Sequence, residues 1–164
     1  MQLIPLTKGY FAMVDDADFK WLSSVKWHSK VKRNTVYAER TFFENGKKVT
    51  LKMHRAIMSV TDKDVFIDHR DGNGLNNSRD NLRVCTNSQN IMNAGSYAGS
   101  SSRFKGVYRI EKTNKWLSNI SVNGRLTHIG LFENEEDAAR NWNKFAKEHR
   151  GEFAKLNDVF PPFP

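Results

Sequence analysis

The chain has 164 residues, with 26 Lys and Arg against 18 Asp and Glu, a net charge of +8 and a sequence pI of about 9.7. This length suits one ordinary domain or two small ones, and the positive balance suits a polyanionic partner such as nucleic acid, although a merely soluble basic protein fits the charge equally well. A single cysteine, Cys85, excludes an internal disulfide and a cysteine-cluster zinc site, and the lack of a membrane-length apolar run or a signal-peptide pattern predicts a non-secreted protein of the reducing cytoplasm with no membrane partner.

Residues 1–58 predict a small α+β lead-in. The apolar run at residues 10–14 is a strand candidate, and carboxylates favour the first turn of a helix, so the acidic residues that follow mark a helix start: Asp15, Asp16 and Asp18. Further strands are predicted at Trp27 and at residues 36–38 and 49–51, with Asn45-Gly46 as a hairpin turn, and a short helix is predicted at residues 54–58. The basic residues between these strands are either phosphate contacts or, as charged stretches more often are, a solvated face: Lys26, Lys30, Lys32 and Arg33.

The centre of the chain, residues 66–94, is crowded with oxygen and imidazole side chains that a packed core would not select. An apolar run ends in Asp68-His69, a polar loop rich in Gly and Asn follows, and a second apolar run covers residues 82–85. Thr86 then caps a predicted helix that carries three amides: Gln89, Asn90 and Asn93. The predicted order is strand, loop, strand, helix, with Cys85 as a buried thiol.

Asp68, His69 and Asn90 are the candidate functional residues of this stretch. Hydrolysis of a phosphodiester by water needs a base, and histidine has an ordinary pKa near 6.5 that suits this task. Mg²⁺ prefers oxygen ligands and keeps several waters, so one carboxylate and one amide suffice, and successive strand residues point to opposite faces, which lets Asp68 serve the metal while His69 serves the water. Asn81 is predicted to hold the loop against the His69 strand or to orient the imidazole. Two further loop amides could do the same, but their neighbours favour turn-forming asparagines: Asn76 and Asn77.

A set of positions in this stretch forms a pattern: Asp68, His69, Gly72, Asn73, Asn76, Asn77, Asn81, Leu82, Arg83, Thr86, Gln89 and Asn90. Together they resemble the HNH (His-Asn-His) endonucleases of the ββα-metal, or His-Me finger, type, in the phage and intron-encoded homing branch whose last His is replaced by Asn. Residues 6–9, 14–16 and 53–58 resemble the lead-in of that branch. The resemblance implies Asp68 and Asn90 as ligands of Mg²⁺ or Mn²⁺, His69 as the general base and Asn81 as the middle Asn. His54 is interpreted as structural rather than catalytic.

A Gly- and Ser-rich segment, residues 95–102, is predicted to link a first domain of residues 1–94 to a second of residues 103–157, with residues 158–164 as a tail. The second domain predicts strands at residues 104–110, 116–122 and 125–129, with a hairpin turn at Asn123-Gly124. Asn134 is predicted to cap an amphipathic helix that Gly151 ends. Residues 103–130 hold six Lys and Arg and one acidic residue, whereas residues 131–164 hold five Lys and Arg and seven acidic residues. The sheet is therefore expected to be the basic side.

This second domain resembles the DNA-binding domain of plant ethylene-response factors (APETALA-like) at residues 104–107, 115–116, 129–132, 136–139, 142 and 150–157. The resemblance implies a three-stranded antiparallel sheet packed on one helix, with the sheet in the DNA major groove. Alternation turns three residues toward the helix: Trp116, Ile120 and Val122. The implied DNA contacts are outward sheet residues and nearby basic residues: Tyr108, Arg109, Lys112, Lys115, Asn119, Ser121, Asn123, Arg125 and His128. Plant factors carry arginines at outward positions where this chain has other residues, so base readout is expected to differ or to be weaker: Tyr108, Asn119, Ser121 and Leu126.

The sequence therefore predicts an α+β, metal-dependent DNA endonuclease of homing type, in which the first domain cuts and the second helps to choose the site. The predicted partner is double-stranded DNA, and the protein is expected to act as a monomer or a dimer in the cytoplasm, that of the host cell if it is phage-encoded. Two alternatives stay open: a catalytically inactive DNA-binding regulator that retains the nuclease fold, and an RNA-directed nuclease.

Overall fold

The computed structural model describes residues 1–95 and 99–160, so residues 96–98 of the predicted linker and residues 161–164 of the predicted tail lie outside the described residues. The chain divides into two compact units, Met1–Asn90 and Ile91–Pro164, and each is described by itself. The described residues form a mixed α+β structure with several small antiparallel sheets. The predicted domain and linker boundaries stay predictions.

The first part of unit one contains two antiparallel sheets and two helices. Their elements are β1 (Gln2–Pro5), β2 (Phe11–Val14), α1 (Asp16–Ser23), β3 (His28–Val31), β4 (Val36–Glu44), β5 (Lys47–Lys52) and α2 (Met53–Ile57). Strand β1 pairs with β2, and β4 lies between β3 and β5. The strand β1 was not among the predicted elements, and β4 and β5 extend well beyond the predicted residues 36–38 and 49–51 because a long hairpin closes at Asn45-Gly46, where both φ angles are positive.

The start of α1 shows how the lead-in is tied to the central loop. Asp15 occupies the position before the helix as predicted, but its Oδ2 accepts a hydrogen bond from the backbone N–H of Arg79, at 2.8 Å. Asp18, on the helix, is 3% exposed and accepts two hydrogen bonds of 2.8 Å from the Arg79 guanidinium. The backbone of Met13 on β2 also bonds to Leu75 and Asn77. These contacts position residues 75–79 of the central stretch from the side of the lead-in.

The second part of unit one has the predicted order of strand, loop, strand and helix: β6 (Phe66–His69), β7 (Leu82–Cys85) and the start of α3 (Asn87–Asn93). The residues of α3 from Ile91 onward fall in unit two. Thr86 caps α3 as predicted, since its Oγ1 accepts from the backbone N–H of Gln89 at 3.2 Å while the Gln89 side chain accepts from Thr86 N–H at 2.8 Å. This reciprocal pair is a capping box. Cys85 is buried, as predicted.

One apolar cluster joins the lead-in to this second part. It contains residues from β1, β2, α1, β4, α2, β6 and β7: Ile4, Ala12, Val14, Leu22, Trp27, Ala38, Met53, Ile57, Ile67 and Leu82. Burial of these side chains supplies the main favourable free energy of folding for a small unit of this kind. The two strands that carry the polar residues of the central stretch are therefore anchored from behind by the lead-in.

Unit two is a three-stranded antiparallel sheet with a long helix packed on it, as predicted. Its elements are β8 (Val107–Ile110), β9 (Lys115–Val122), β10 (Arg125–Phe132) and α4 (Glu135–Arg150), in the strand order β10-β9-β8. The buried residues Ile120 on β9 and Trp142 and Ala146 on α4 form part of the core. Gly106 has a φ of +74°, and a Cβ at this position would lie 2.0 Å from Nε1 of Trp142, so the close approach of chain and indole requires glycine.

Two boundaries of unit two differ from the predictions. Strand β8 begins at Val107 rather than at residue 104, because Phe104 and Val107 are joined by a backbone hydrogen bond of a turn. Strand β10 continues to Phe132, beyond the predicted residue 129, after a shift of register between His128 and Gly130. A bulge of this kind adds a residue to one strand and lets pairing resume, which single-sequence alternation does not reveal.

Candidate active site

Asp68 and His69 lie at the end of β6, paired with Arg83 and Leu82 of β7. Both are 5% exposed. Because successive strand residues point to opposite faces, the carboxylate and the imidazole lie on different sides of the two-stranded ribbon. On its side, Oδ2 of Asp68 accepts hydrogen bonds from Nε of Arg83 at 2.9 Å and from Nη2 at 2.7 Å.

His69 lies among aromatic and amide side chains. The His69 ring centroid is 5.0 Å from that of His54, with the rings at 89°, and 5.9 Å from that of Tyr37. Burial lowers the pKa of His69 below its ordinary value, while Asn77 and the carboxylates of Asp71 and Asp68 act in the opposite direction. The net effect favours the neutral imidazole, which is the form able to accept a proton.

Asn77 determines how the His69 ring is used. Its side chain is fully buried, and its Nδ2 donates to the backbone carbonyls of Leu75 at 3.2 Å and Gly74 at 3.5 Å. Its Oδ1 therefore faces His69, at 3.5 Å from Nε2. An amide oxygen only accepts hydrogen bonds, so this contact favours the tautomer of the neutral ring with its proton on Nε2. The contact corresponds to the alternative in which Asn77 orients the imidazole, while its bonds to Gly74 and Leu75 also belong to a turn.

Asn81 holds the loop that follows β6. Its Nδ2 donates to Oδ1 of Asp71 at 3.0 Å and to the carbonyl of Asn76 at 2.8 Å, and its Oδ1 accepts from Asp71 N–H at 3.1 Å. Of the two uses predicted for Asn81, these contacts correspond to holding the loop against the His69 strand. Burial alone would raise the pKa of Asp71, but hydrogen bonds from Asn76, Asn73 and Asn81 outweigh it and lower the pKa, so Asp71 is an ionised anchor of the loop.

Asn90 lies in the second turn of α3, in unit one, and is half-buried. The Thr86 capping box sets the start of this helix, and the Asn90 backbone N–H bonds to the Thr86 carbonyl at 3.0 Å. Within residues 1–95 and 99–160, no three His, Cys, Asp or Glu side chains gather as a metal-binding group. A site made of one carboxylate and one amide would not form such a group, so the joint role of Asp68 and Asn90 stays a prediction.

The predicted DNA-contact residues of unit two fall into two sets. Four lie on the sheet face that points away from α4: Tyr108, Asn119, Ser121 and His128. Asn119 and Ser121 alternate along β9 with the buried residues Ser118 and Ile120. His128 pairs with Asn119, and Tyr108 pairs with Leu117 on the same face of β9. Two of these are joined across the strands, with Nδ1 of His128 at 3.2 Å from Oδ1 of Asn119. Leu126, 75% exposed and opposite Ser121, adds an apolar side chain to the same face.

The other predicted contacts lie around the edge of this sheet. Arg109 pairs with Trp116, so it lies on the helix side, where its guanidinium contacts Asn114 and lies 5.8 Å from the Trp116 ring centroid. Lys115 forms an ion pair of 2.6 Å with Glu133. Asn123 lies in the predicted hairpin turn between β9 and β10, with a φ of +50°, and not on the outward face of a strand. Two residues are exposed at chain reversals: Lys112 and Arg125.

Comparison with known proteins bears on the central stretch directly. Residues 61–92, which include Asp68, His69, Asn81 and Asn90, match the HNH endonuclease family. Over 157 residues the chain is 32% identical to an uncharacterized HNH endonuclease of Acanthamoeba polyphaga mimivirus, covering 93% of this chain and 77% of that protein. The chain is an HNH endonuclease. It is also similar to Protein 3.8 of Escherichia phage T7, with 32% identity over 95 residues, covering 57% of this chain and 77% of that protein.

HNH nucleases act on DNA and generally use a divalent metal ion. In this HNH endonuclease the order β6, loop, β7, α3 brings Asp68 and His69 to one strand end and follows them with Asn90 on a helix. The predicted resemblance of the central stretch is confirmed at the level of the family. The resemblance of unit two to plant DNA-binding domains stays a prediction, although the sheet-and-helix arrangement matches it. Across the described residues, no helix is long and apolar enough to cross a membrane.

Three residues near strand β6 of the nuclease had no predicted role at the candidate site. Arg83 belongs to the family pattern, but no role was predicted for it. Its position on the strand facing Asp68 could have indicated an ion pair with that carboxylate. Tyr37 lies on β4, far away in sequence, and nothing local points to His69. Gly74 passes directly over Tyr37, since a Cβ at this position would lie 2.7 Å from the Tyr37 ring. These contacts depend on the fold of the lead-in.

Proposed function

We propose that this HNH endonuclease is a metal-dependent enzyme of homing type that hydrolyses phosphodiester bonds of double-stranded DNA, with His69 as the general base and a divalent cation held by Asp68 and Asn90. The observation that carries the proposal is the separation of two functional groups at one strand end: the Asp68 carboxylate on one face of β6 and the neutral His69 imidazole on the other. One group can hold charge while the other moves a proton.

The proton transfer follows from the ring orientation. The contact of Asn77 Oδ1 with Nε2 of His69 favours a proton on Nε2, which makes Nδ1 the proposed acceptor of a proton from water. The water oxygen attacks the phosphorus and the P–O bond to the leaving oxygen breaks. The leaving oxygen takes a proton from solvent to give a free hydroxyl end, and His69 returns its proton to solvent. Because burial keeps the pKa of His69 below its usual range, the imidazole is ready to accept at neutral pH.

The proposed metal ligands fit a hard cation by their chemistry. Asp68 offers carboxylate oxygens and Asn90 an amide oxygen, which are ligands that Mg²⁺ and Mn²⁺ accept, with water and phosphate oxygens filling the other positions. A carboxylate has about four lone-pair positions, so one carboxylate can be shared by a guanidinium such as that of Arg83 and a metal ion. A bound cation would neutralise charge on the phosphate and on the leaving oxygen. Arg83 would hold the carboxylate in one orientation for this purpose.

Unit one also has a basic face next to the active site. By strand register, Lys30 pairs with Tyr37, Glu39 pairs with Lys52, and Phe43 pairs with Lys48, so these residues share one face of the β3-β4-β5 sheet. The three lysines are exposed, whereas Tyr37 on the same face contacts the His69 ring. Ammonium groups on such a face suit the DNA backbone, which gives affinity without base choice. Three more basic residues, which precede or follow β3 in the sequence, are proposed as phosphate contacts: Lys26, Lys32 and Arg33.

Unit two is proposed to help choose the site. Its outward face carries a hydrogen-bonding pair, Asn119 and His128, together with Tyr108 and Ser121, and these side chains can address base edges in a groove. Basic residues near the edge can contact phosphates: Arg109, Lys112, Lys115 and Arg125. Asn123, in the exposed turn, can reach the backbone of the same duplex. A monomer carries one active site and cuts one strand at a time, so a double-strand break requires a dimer or a second event. The proposed location is the host-cell cytoplasm.

The proposal is tested by nicking of supercoiled plasmid in the presence of Mg²⁺ or Mn²⁺. We expect the wild-type protein to nick, and we expect EDTA or His69→Ala to abolish nicking with DNA binding retained. His149→Ala is the matched control, because this exposed histidine on α4 stacks on Phe145 outside the site. Equal nicking by wild type and His69→Ala would refute the role of His69, and absence of nicking by both would favour a DNA-binding regulator. Substitution of an RNA duplex for the plasmid tests the RNA-directed alternative.

A further inference from the structure

Three rings from three different elements meet beside the active-site strand. Tyr37 comes from β4, His54 from α2 and His69 from β6, and each ring contacts the other two. The centroid distances are 5.7 Å between Tyr37 and His54, 5.9 Å between Tyr37 and His69, and 5.0 Å between His54 and His69. All three distances lie in the range where edge-to-face and tilted aromatic pairs attract. The rings therefore form a closed triangle, here called the ring triangle.

His54 is the member of the ring triangle that the proposed reaction does not use. It is 5% exposed, and its Nδ1 is buried without a hydrogen-bond partner among the described residues. Burial, with His69 and two nearby basic side chains adding to it, lowers the pKa of His54 to about 3. The side chain is therefore a neutral ring near physiological pH. Because Nδ1 makes no hydrogen bond, bonding at this atom does not explain a histidine here, whereas the imidazole contacts the rings of Tyr37 and His69.

The geometry of the contact with His69 suggests what the ring does. The two imidazoles are nearly perpendicular, at 89°, so His54 restricts rotation of the His69 ring about its own χ2 axis. Tyr37 restricts it from a second side, at 52°. Asn77 adds a longer contact of 3.5 Å at Nε2 of the ring. A catalytic side chain needs its rotamer held by packing to within a fraction of an ångström.

We infer that His54, together with Tyr37, is a positioning residue that holds the plane of the His69 imidazole so that its proton-accepting nitrogen faces the DNA phosphodiester. The inference rests on the proposed role of His69 as the general base. It revises the interpretation of His54 as simply structural: His54 acts on the reaction through His69, without touching the reacting atoms. Imidazole is planar but smaller than a phenyl ring, which suits a position with neighbouring rings on two sides.

The test compares variants that separate the ring from its nitrogens. His54→Phe keeps a planar ring, His54→Leu removes planarity, and His54→Asn keeps a polar group near Nδ1 without a ring. Single-turnover nicking of supercoiled plasmid with Mg²⁺ gives the cleavage rate constant, and gel shift of the same plasmid in EDTA gives affinity. We expect His54→Leu and His54→Asn to slow cleavage about tenfold to a hundredfold with unchanged affinity, because small misplacement of a reacting group has effects of this size. We expect His54→Phe to retain most of the rate.

Matched variants control for packing and for failure to fold. Ile57→Val removes volume from the apolar core on the same helix α2 and is expected to lower Tm without slowing cleavage. Tyr37→Phe, which keeps a ring, and Tyr37→Leu, which removes it, make the same comparison at Tyr37, the half-buried member of the ring triangle. If the His54 variants do not fold, the Tyr37 variants test whether the ring contacts position His69. In a histidine-selective NMR spectrum, the His69 ring C–H signals are expected to shift in His54→Leu and Tyr37→Leu but not in Ile57→Val.

The outcomes separate this inference from the proposed function. Wild-type cleavage by His54→Leu or by Tyr37→Leu, or retention of the rate by His54→Asn but not by His54→Phe, would overturn the positioning role while leaving His69 as the base. Wild-type cleavage by His69→Ala in the same assay would overturn the proposed function itself. Loss of DNA affinity in parallel with rate would also count against positioning, because orientation of the base acts on the chemical step.

Discussion

Arg83 and Asp68 form a buried ion pair on facing strands, with Nη2 of Arg83 2.7 Å from Oδ2 of Asp68 and each side chain 6% exposed. The carboxylate that is proposed to hold the cation is thus already held by a guanidinium. Removal of one member of a buried ion pair leaves the other charged group desolvated and unpaired, which costs about 3 to 5 kcal/mol. This relationship changes how a substitution at Asp68 has to be interpreted.

The first prediction concerns the two proposed metal ligands. We expect Asp68→Ala to abolish nicking but also to lower the free energy of unfolding by about 3 to 5 kcal/mol, because the buried guanidinium of Arg83 loses this carboxylate. The double variant Asp68→Ala with Arg83→Met should recover much of this stability without recovering nicking. Asn90→Ala, at a half-buried helix position, should abolish nicking with little loss of stability.

Urea denaturation and plasmid nicking check this prediction, with Asn87→Ala on the same helix as the control. Binding of Mn²⁺, followed by electron paramagnetic resonance in the presence of plasmid, should weaken in Asn90→Ala and stay unchanged in Asn87→Ala. Full nicking by Asn90→Ala would remove it from the ligand set.

The second prediction concerns the loop that Asn81 holds. Asn81→Ala removes hydrogen bonds to Asp71 and to the Asn76 carbonyl, so we expect a loss of about 1 to 3 kcal/mol in the free energy of unfolding and at least about tenfold slower nicking. Asn76→Ala loses the bond from its Nδ2 to Asp71 and the bonds that its Oδ1 accepts from Ser78, but it retains Asn81. It should have a smaller effect on both, because Asn76 is half-buried whereas Asn81 is buried. Hydrogen exchange of the amides of residues 70–78 measures the loop directly. Unchanged exchange in Asn81→Ala would contradict this role.

The third prediction is a pH dependence of stability that comes from His54. Its pKa is about 3 in the folded protein and near 6.5 in the unfolded chain, so between these values the unfolded state binds one more proton than the folded state. Stability should therefore rise with pH across this window and fall as pH decreases from about 6.5, with His54 contributing up to about 1.4 kcal/mol per pH unit. Urea denaturation at several pH values should show a shallower slope for His54→Phe than for wild type. A control with the exposed His149→Ala should keep the wild-type slope.

The fourth prediction concerns the basic face of unit one. Each phosphate contact contributes about 0.9 to the slope of log affinity against log salt, so replacing Lys30, Lys48 and Lys52 by Gln should lower that slope by about 2.7. The effect should be the same for unrelated DNA sequences, because phosphate contacts carry no base information. The control changes the net charge equally at three exposed lysines on helices: Lys20, Lys144 and Lys147. An equal loss of slope in both triple variants would show a general charge effect instead of a surface.

The fifth prediction concerns the outward face of unit two. We expect Asn119→Ala and His128→Ala, whose side chains bond to each other, to change the sequence preference of cutting when cleavage is mapped on a random-sequence library. Lys112→Gln should weaken binding about equally on all sequences. Truncation before Gly99 should leave metal-dependent but poorly targeted cutting. A truncated protein with the full site preference would place the readout elsewhere.

Local patterns in the sequence were sufficient for much of the secondary structure. The order of β6, β7 and α3, the Thr86 cap, the turns at Asn45-Gly46 and Asn123-Gly124 and the helix stop at Gly151 all depend on neighbouring residues, and the structure confirms them. The strand β1 and the long β4-β5 hairpin were missed or shortened, because their pairing depends on partners and on the core and not on a clean local alternation. The bulge between His128 and Gly130 was not predicted for the same reason.

The resemblance of residues 66–94 to HNH endonucleases was enough to indicate the family and to supply the candidate residues Asp68, His69, Asn81 and Asn90. The surroundings of these residues depend on the tertiary fold. Arg83 meets Asp68 because two strands pair in one register, and Tyr37 and His54 meet His69 because β4 and α2 pack beside β6. Contacts between residues far apart in sequence form only when helices and strands pack together to bury their apolar surface. That packing depends on the whole unit, so a local stretch of sequence does not reveal the contacts.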